Sequence, residues 1–209
     1  MENQARTAEH VSRINLRRNI LNKELACLIS CPASVVWEIG CGHGHFLTAY
    51  ATAHTHELCV GVDISRDRIE RSLRKRDRAK LGNLHFIQAE ANDFLDSLPA
   101  GVTLSAIYIL FPDPWPKRRH HKNRIMQPDF LHALAGRAGE DARLYFRTDY
   151  EPYFREAELL LDRHPDWQTI AGPWPFEQIT VFQGRAASHH SLIAQHRRAR
   201  TSVRRQNCA

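Results

Sequence analysis

Apolar residues recur at three- and four-residue steps along the first thirty positions. Val11, Ile14, Leu21, Leu25 and Leu28, with one gap in the series, mark one face of an amphipathic helix that must end before Pro32. Downstream the pattern changes. Short apolar runs at 35–39, 58–62, 84–87, 104–110 and 144–146 read as buried strands, while 44–54, 65–80, 92–97 and 125–138 carry helical spacing. A further helix is expected over about 150–163, with 167–171 and 179–182 as closing strands. Strands that alternate with helices imply right-handed crossovers and a mostly parallel sheet of seven strands with helices on both faces. No internal repeat or linker interrupts the series. The expected organisation is a helical extension at 1–33, one α/β domain at 34–196, and a basic tail at 197–209.

The length of 209 residues suits a single domain of this kind with a continuous core. Apolar residues at 43% and charged residues at 25% exclude disorder and a fibrous repeat. No run approaches the ~18 apolar residues of a spanning helix, and the polar N-terminus lacks an apolar export region, so neither membrane insertion nor secretion is expected. The five cysteines (Cys27, Cys31, Cys41, Cys59, Cys208) are odd in number and fit a reducing cytoplasm. None forms a CxxC pair, and Cys27 and Cys31 lie one turn apart on the first helix, so no metal site is expected despite 13 histidines.

Charge is unevenly placed. Residues 66–80, 117–124 and 197–205 each carry +5, fifteen in all, so the rest of the chain carries −9 against a total of +6. The first segment intersperses Asp67, Glu70 and Asp77 and reads as a solvated helix face with close ion pairs. The second contains no acid. A patch of that kind attracts polyphosphate by releasing condensed counterions.

In a parallel sheet, ligands bind beyond the carboxyl ends of the strands. Those ends carry a glycine loop (Gly40, Gly42, Gly44) and then Asp63, Glu90, Asp113 and Asp149. Glycines in a tight strand-to-helix turn let a ligand approach the backbone, and a carboxylate 23 residues beyond Gly40 can accept both hydroxyls of a ribose. Two details favour S-adenosyl-L-methionine (AdoMet) over a dinucleotide. The third glycine comes one position too early for GxGxxG. Glu38, two residues before the first glycine, would repel a pyrophosphate but attract the cationic methionine end of AdoMet.

The stretch FPDPWPKRRHHKNR at 111–124 is the most specific in the chain. Its three prolines fix φ and restrain the residues before them, so Asp113 is held in a stiff turn. With the run Glu38-x-Gly-x-Gly-x-Gly and the later acid Asp63, it resembles the signature of the bacterial tRNA (guanine-N7-)-methyltransferase family, and Arg147-Thr148-Asp149-Tyr150-Glu151 is similar to another of that family's blocks. The resemblance spans roughly residues 35 to 185. It implies a Rossmann-like class I methyltransferase domain and AdoMet-dependent methylation at N7 of guanine 46 in the tRNA variable loop.

It further implies that Glu38, Gly40, Gly42, Gly44, Asp63, Glu90 and Asp113 bind AdoMet, with Asp113 also the catalytic residue. Lys117, Asp149, Thr180 and Gln183 would contact the guanosine. Arg118, Arg119, Lys122 and Arg124 would grip the RNA backbone, and Trp115 is equally suited to stacking on a base or to packing in the interior. Two positions depart from the family pattern. Glu90 replaces the usual Asp, and the late TKFE-type motif reads Thr180-Val181-Phe182-Gln183, without its Lys or its carboxylate. That second change leaves open a related methyltransferase acting on another RNA or a small heteroaromatic. Monomer and homodimer are equally compatible with the sequence.

Overall fold

The periodicity of the N-terminal residues produces α1 (Glu2–Leu28), whose Leu21 and Leu25, followed by Ile29, enter the core at four-residue spacing. Leu28, expected on that face, is partly exposed, and Cys31 lies beyond the helix end rather than on it. The structure, a computed structural model, describes residues 2–178 and 188–197, with side chains of α1 described from residue 14 onward. The expected strand at 179–182, with Thr180 and Gln183, lies outside the described residues, as does the tail beyond residue 197.

After α1 come β1 (Ala33–Ile39), α2 (His45–Ala53), β2 (Leu58–Asp63), α3 (Arg66–Ala79), β3 (Leu84–Gln88), α4 (Ala91–Ser97), β4 (Val102–Leu110), α5 (Pro128–Ala135), β5 (Ala138–Thr148), α6 (Glu151–Arg163), β6 (Trp167–Ile170) and β7 (His190–His196). Among the described residues these strands form one sheet in the order β3-β2-β1-β4-β5-β7-β6. The pairs from β3 to β5 are parallel, and β7 runs antiparallel to both its neighbours. The order reverses between β1 and β4, which opens a crevice at their carboxyl ends.

Both faces of the sheet are covered. One packs Trp37, Ile107, Leu144 and Phe146 against α1, α4, α5 and α6, so the N-terminal helix shares the core of the sheet. The other packs Val36, Tyr108 and Tyr145 against α2, α3 and the 170–176 segment, which contributes Ile170, Trp174 and Phe176. Asn83 shows how the loops are closed: its side-chain amide donates to the backbone oxygens of Ala51, His54 and Glu57.

Two boundaries differ from the sequence expectation. The helix expected at 125–138 begins only at Pro128, a residue whose fixed φ suits a first helical position, and a 3-10 turn (Arg118–Asn123) precedes it. Strand β5 starts at Ala138 instead of 144, because its first residues pair with β4 across a register shift while staying half-exposed and polar. In addition, a strand that the sequence reading did not expect lies at His190–His196. Its short apolar centre, Leu192–Ala194, is too brief to read from periodicity and is set by pairing with β5 and β6.

Candidate active site

Each predicted carboxylate except Glu38 stands at or just beyond a strand end. Glu38 lies one residue inside β1 and is buried, at 3% exposure. It accepts from the Leu47 N–H, yet its Oε2 has no partner. Burial pushes its pKa up to about 8, partly offset by the Leu47 hydrogen bond and reinforced by the nearby Asp63 charge. A buried carboxylate with an unused oxygen invites a cationic ligand.

The loop that follows is built for close approach. Gly40 and Gly42 hold φ of +67° and +56°, and a side chain at either would project into open space. Gly44 is glycine for another reason: a Cβ there would fall 2.5 Å from Phe86 and 2.9 Å from Ser72, so it serves helix–sheet packing under α2 instead of facing a ligand. Asp63 accepts from the N–H groups of Gly42 (3.0 Å) and Ser65 (2.8 Å), with Arg68 at 3.5 Å. The carboxylate thus shapes the loop and retains further acceptor positions for ribose hydroxyls. Glu90 is exposed at the first turn of α4. The orphaned oxygen of Glu38, the open loop and the free capacity of Asp63 and Glu90 fit AdoMet.

The Pro-rich loop after β4 carries an exposed Asp113 whose carboxylate forms no hydrogen bond or ion pair among the described residues. Phe111 and Trp115, on either side, occupy left-handed backbone at φ +50° and +42°. Such conformations cost of order 1–3 kcal/mol each and persist only where neighbours enforce them. Arg124 is that neighbour for Trp115. It is 2% exposed; its guanidinium donates to the Pro114 (2.9 Å) and Trp115 (3.5 Å) carbonyls, pairs with Glu156, and lies 4.6 Å over the Tyr153 ring. Arg124, expected on the RNA backbone, is therefore not exposed with the rest of the basic run. Its charge is spent inside the protein, bracketing the loop that holds Asp113.

The rest of the run is available. Lys117, Arg118, Arg119 and Lys122 are exposed on and beside the 3-10 turn. Trp115 packs edge-on against His120 and is half-buried. Asp149 is exposed just past β5. The α3 segment behaves as a solvated face, with Arg66–Glu70 and Arg71–Asp67 paired one turn apart.

A second buried arginine has no counterpart among the residues assigned from sequence. Arg147 near the end of β5 grips Glu177 with two bonds of 2.8 Å, donates to Ser191 Oγ at 2.8 Å, and sits 4.0 Å over the Trp174 ring. Its backbone oxygen accepts from Phe111 at 2.7 Å. It thereby ties the Asp113 loop to both ends of the β6–β7 connection, the stretch that contains Thr180 and Gln183. The sequence signal was present, as an arginine beside Thr148 and Asp149, but an apolar strand run hides its burial.

A parallel sheet reversed between β1 and β4, an antiparallel β7 beside β5, a glycine loop after β1 and an acid ending β2 together define a Rossmann-like class I methyltransferase. The same fold is seen in the 16S rRNA (adenine(1408)-N(1))-methyltransferase of Catenulisporales acidiphilia (TM-score 0.56, 19% identity, 87% of this chain and 94% of that one). It is seen again in the aminoglycoside resistance methyltransferase NpmB1 (TM-score 0.55, 16% identity, 84% and 93%). In sequence, the family described as "Putative methyltransferase" matches residues 32–190. The tRNA (guanine-N(7)-)-methyltransferase of Leifsonia xyli is 34% identical over 81% of this chain and 78% of its own length, and the chain belongs to that family. The Treponema pallidum enzyme of the same name is 39% identical over 74% of this chain, a match that spans 65% of the relative.

Proposed function

We propose that this chain transfers the methyl group of AdoMet to N7 of a guanine in tRNA, at position 46 of the variable loop, in the cytoplasm. The observation that carries the reading is the unpaired Asp113 carboxylate, on the loop that Arg124 brackets after β4, the strand next to β1 with its Glu38 and unused carboxylate oxygen. Bound AdoMet supplies a methyl on a sulfonium centre, open to attack by a nitrogen lone pair. Guanine N7 has such a lone pair in the ring plane and bears no proton, so the site requires no strong base. It must orient the ring and stabilise the positive charge that passes to it. Asp113 and Asp149, beyond the adjacent strands β4 and β5, can accept from guanine N–H groups and supply that negative field. The membership of the family and the block 111–124 support this substrate over another heteroaromatic.

Incubating the protein with unmodified tRNA and AdoMet, then digesting to nucleosides, should yield 7-methylguanosine from tRNA and none from free guanosine. Methylation of free nucleosides in place of tRNA would move the substrate to a small heteroaromatic. A second measurement tests the RNA face. Replacing Arg118, Arg119 and Lys122 with alanine should reduce the slope of log affinity against log salt by about two to three, since each of the three phosphate contacts contributes a little under one. An unchanged slope would return these side chains to an ordinary solvated surface.

A further inference from the structure

The C-terminal half of α1 runs beside the strand ends that form the donor site. Leu21 and Leu25 anchor it in the core, and Arg18 ties it to α4 through Asp93 (2.7 Å) and Asp96 (2.9 Å). Between this helix and the loops after β2 and β3 opens a cleft of about 310 Å³. Ile20 and Glu24 line it from the helix, and Ile64, Ala89 and Glu90 from the loops. Ile20 and Ile64 are 58% and 70% exposed, so both side chains leave apolar surface open beside the cleft. Ile64 directly follows Asp63, whose free acceptor positions suit a ribose, so the cleft continues the donor site on its nucleobase side. Ile20, Leu21, Ile64 and Ala89 lining one cleft, with the Glu24 and Glu90 carboxylates and the Arg17 guanidinium beside them, match a flat heterocycle that carries an amine and ring acceptors at its edge.

We propose that α1 is part of the methyl-donor pocket and that Ile20 packs against the adenine of AdoMet, opposite Ile64, with Glu90 accepting from the exocyclic amine. The proposal rests on the reading of AdoMet as donor and adds to it a wall from outside the sheet-and-crossover unit. Donor loading then fastens the N-terminal helix to the strand ends.

The test titrates AdoMet and 5′-methylthioadenosine, which lacks the methionine end, into the wild type and three variants. Ile20→Asp should weaken both ligands by about tenfold or more, and Ile20→Ala, which adds no charge, by about threefold. Leu16→Asp alters a residue on the same helix that is 61% exposed and does not line the cleft, so it should bind as the wild type does. Circular dichroism should show all four proteins equally folded. Wild-type affinity for both ligands in the Ile20 variants would overturn the proposal. So would a loss confined to AdoMet, because the defect would then lie at the methionine end. A wild type that binds neither ligand would overturn the donor reading itself, and this inference with it.

Discussion

Asp113→Ala is expected to lower the rate of methyl transfer by about 10²–10³-fold, the range for removing one preorganised electrostatic group from a site, while the fold changes little. The side chain is exposed and bonds to no other described residue, so its loss removes no internal contact. The loop conformation comes from the backbone: Pro112 and Pro114 set φ, and Arg124 holds the carbonyls of Pro114 and Trp115. The loss should therefore persist in kcat at saturating tRNA, because the loop itself stays in place. Asp113→Asn separates charge from shape. If the negative field is what the transition state needs, Asn should be nearly as poor as Ala; if a hydrogen-bond acceptor suffices, Asn should recover most of the rate. A fully active Asp113→Ala protein would remove the residue from the chemistry.

Glu38→Gln is expected to stabilise the protein at pH 8 and to weaken AdoMet binding. In the folded, ligand-free protein the Glu38 carboxyl stays protonated up to about pH 8, whereas in the unfolded chain it ionises near 4.5. The native state thus holds the extra proton between these values, and stability falls as pH rises through that window. At about 1.4 kcal/mol per pH unit the full cost reaches about 5 kcal/mol above pH 8, as an upper bound. Glutamine does not ionise, so the variant's melting temperature should match the wild type near pH 4.5 and exceed it by several degrees at pH 8. Binding should show the opposite trend. A cationic donor favours the ionised carboxylate, so wild-type affinity should rise with pH up to about 8 and then level, with a proton released on binding below that point. Calorimetry in two buffers of different ionisation enthalpy counts that proton. The variant should bind more weakly and release none. Equal pH profiles for the two proteins would show that Glu38 does not sense the ligand.

Both results depend on charges whose surroundings a linear reading cannot supply. Arg118 and Arg124 look alike in the sequence, two arginines in one acid-free run. One is exposed, and the other is sealed by Glu156, Tyr153 and two carbonyls that arrive from the Pro-rich loop and from α6. Gly42 and Gly44 likewise share one motif, and only the packing of Phe86 and Ser72 shows that the second is a packing glycine.

What the amino-acid order determined by itself was whatever rests on local pattern. The 3.6- and two-residue periodicities predicted four of the six helices within about two residues, and the five parallel strands by their apolar centres, because one buried face per element leaves its period in the chain. The glycine loop, the strand-end acids and the Pro-rich turn were legible for the same reason, since each is a conformational requirement spelled within seven residues. Tertiary structure alone decided the rest. It placed β7 between β5 and β6, made Arg124 and Arg147 the buried brackets of the Asp113 loop, and brought Ile20 of α1 to the same cleft as Ile64. These depend on contacts between residues 30 to 70 positions apart, whose energies come from burial and pairing in three dimensions and leave no period in the sequence.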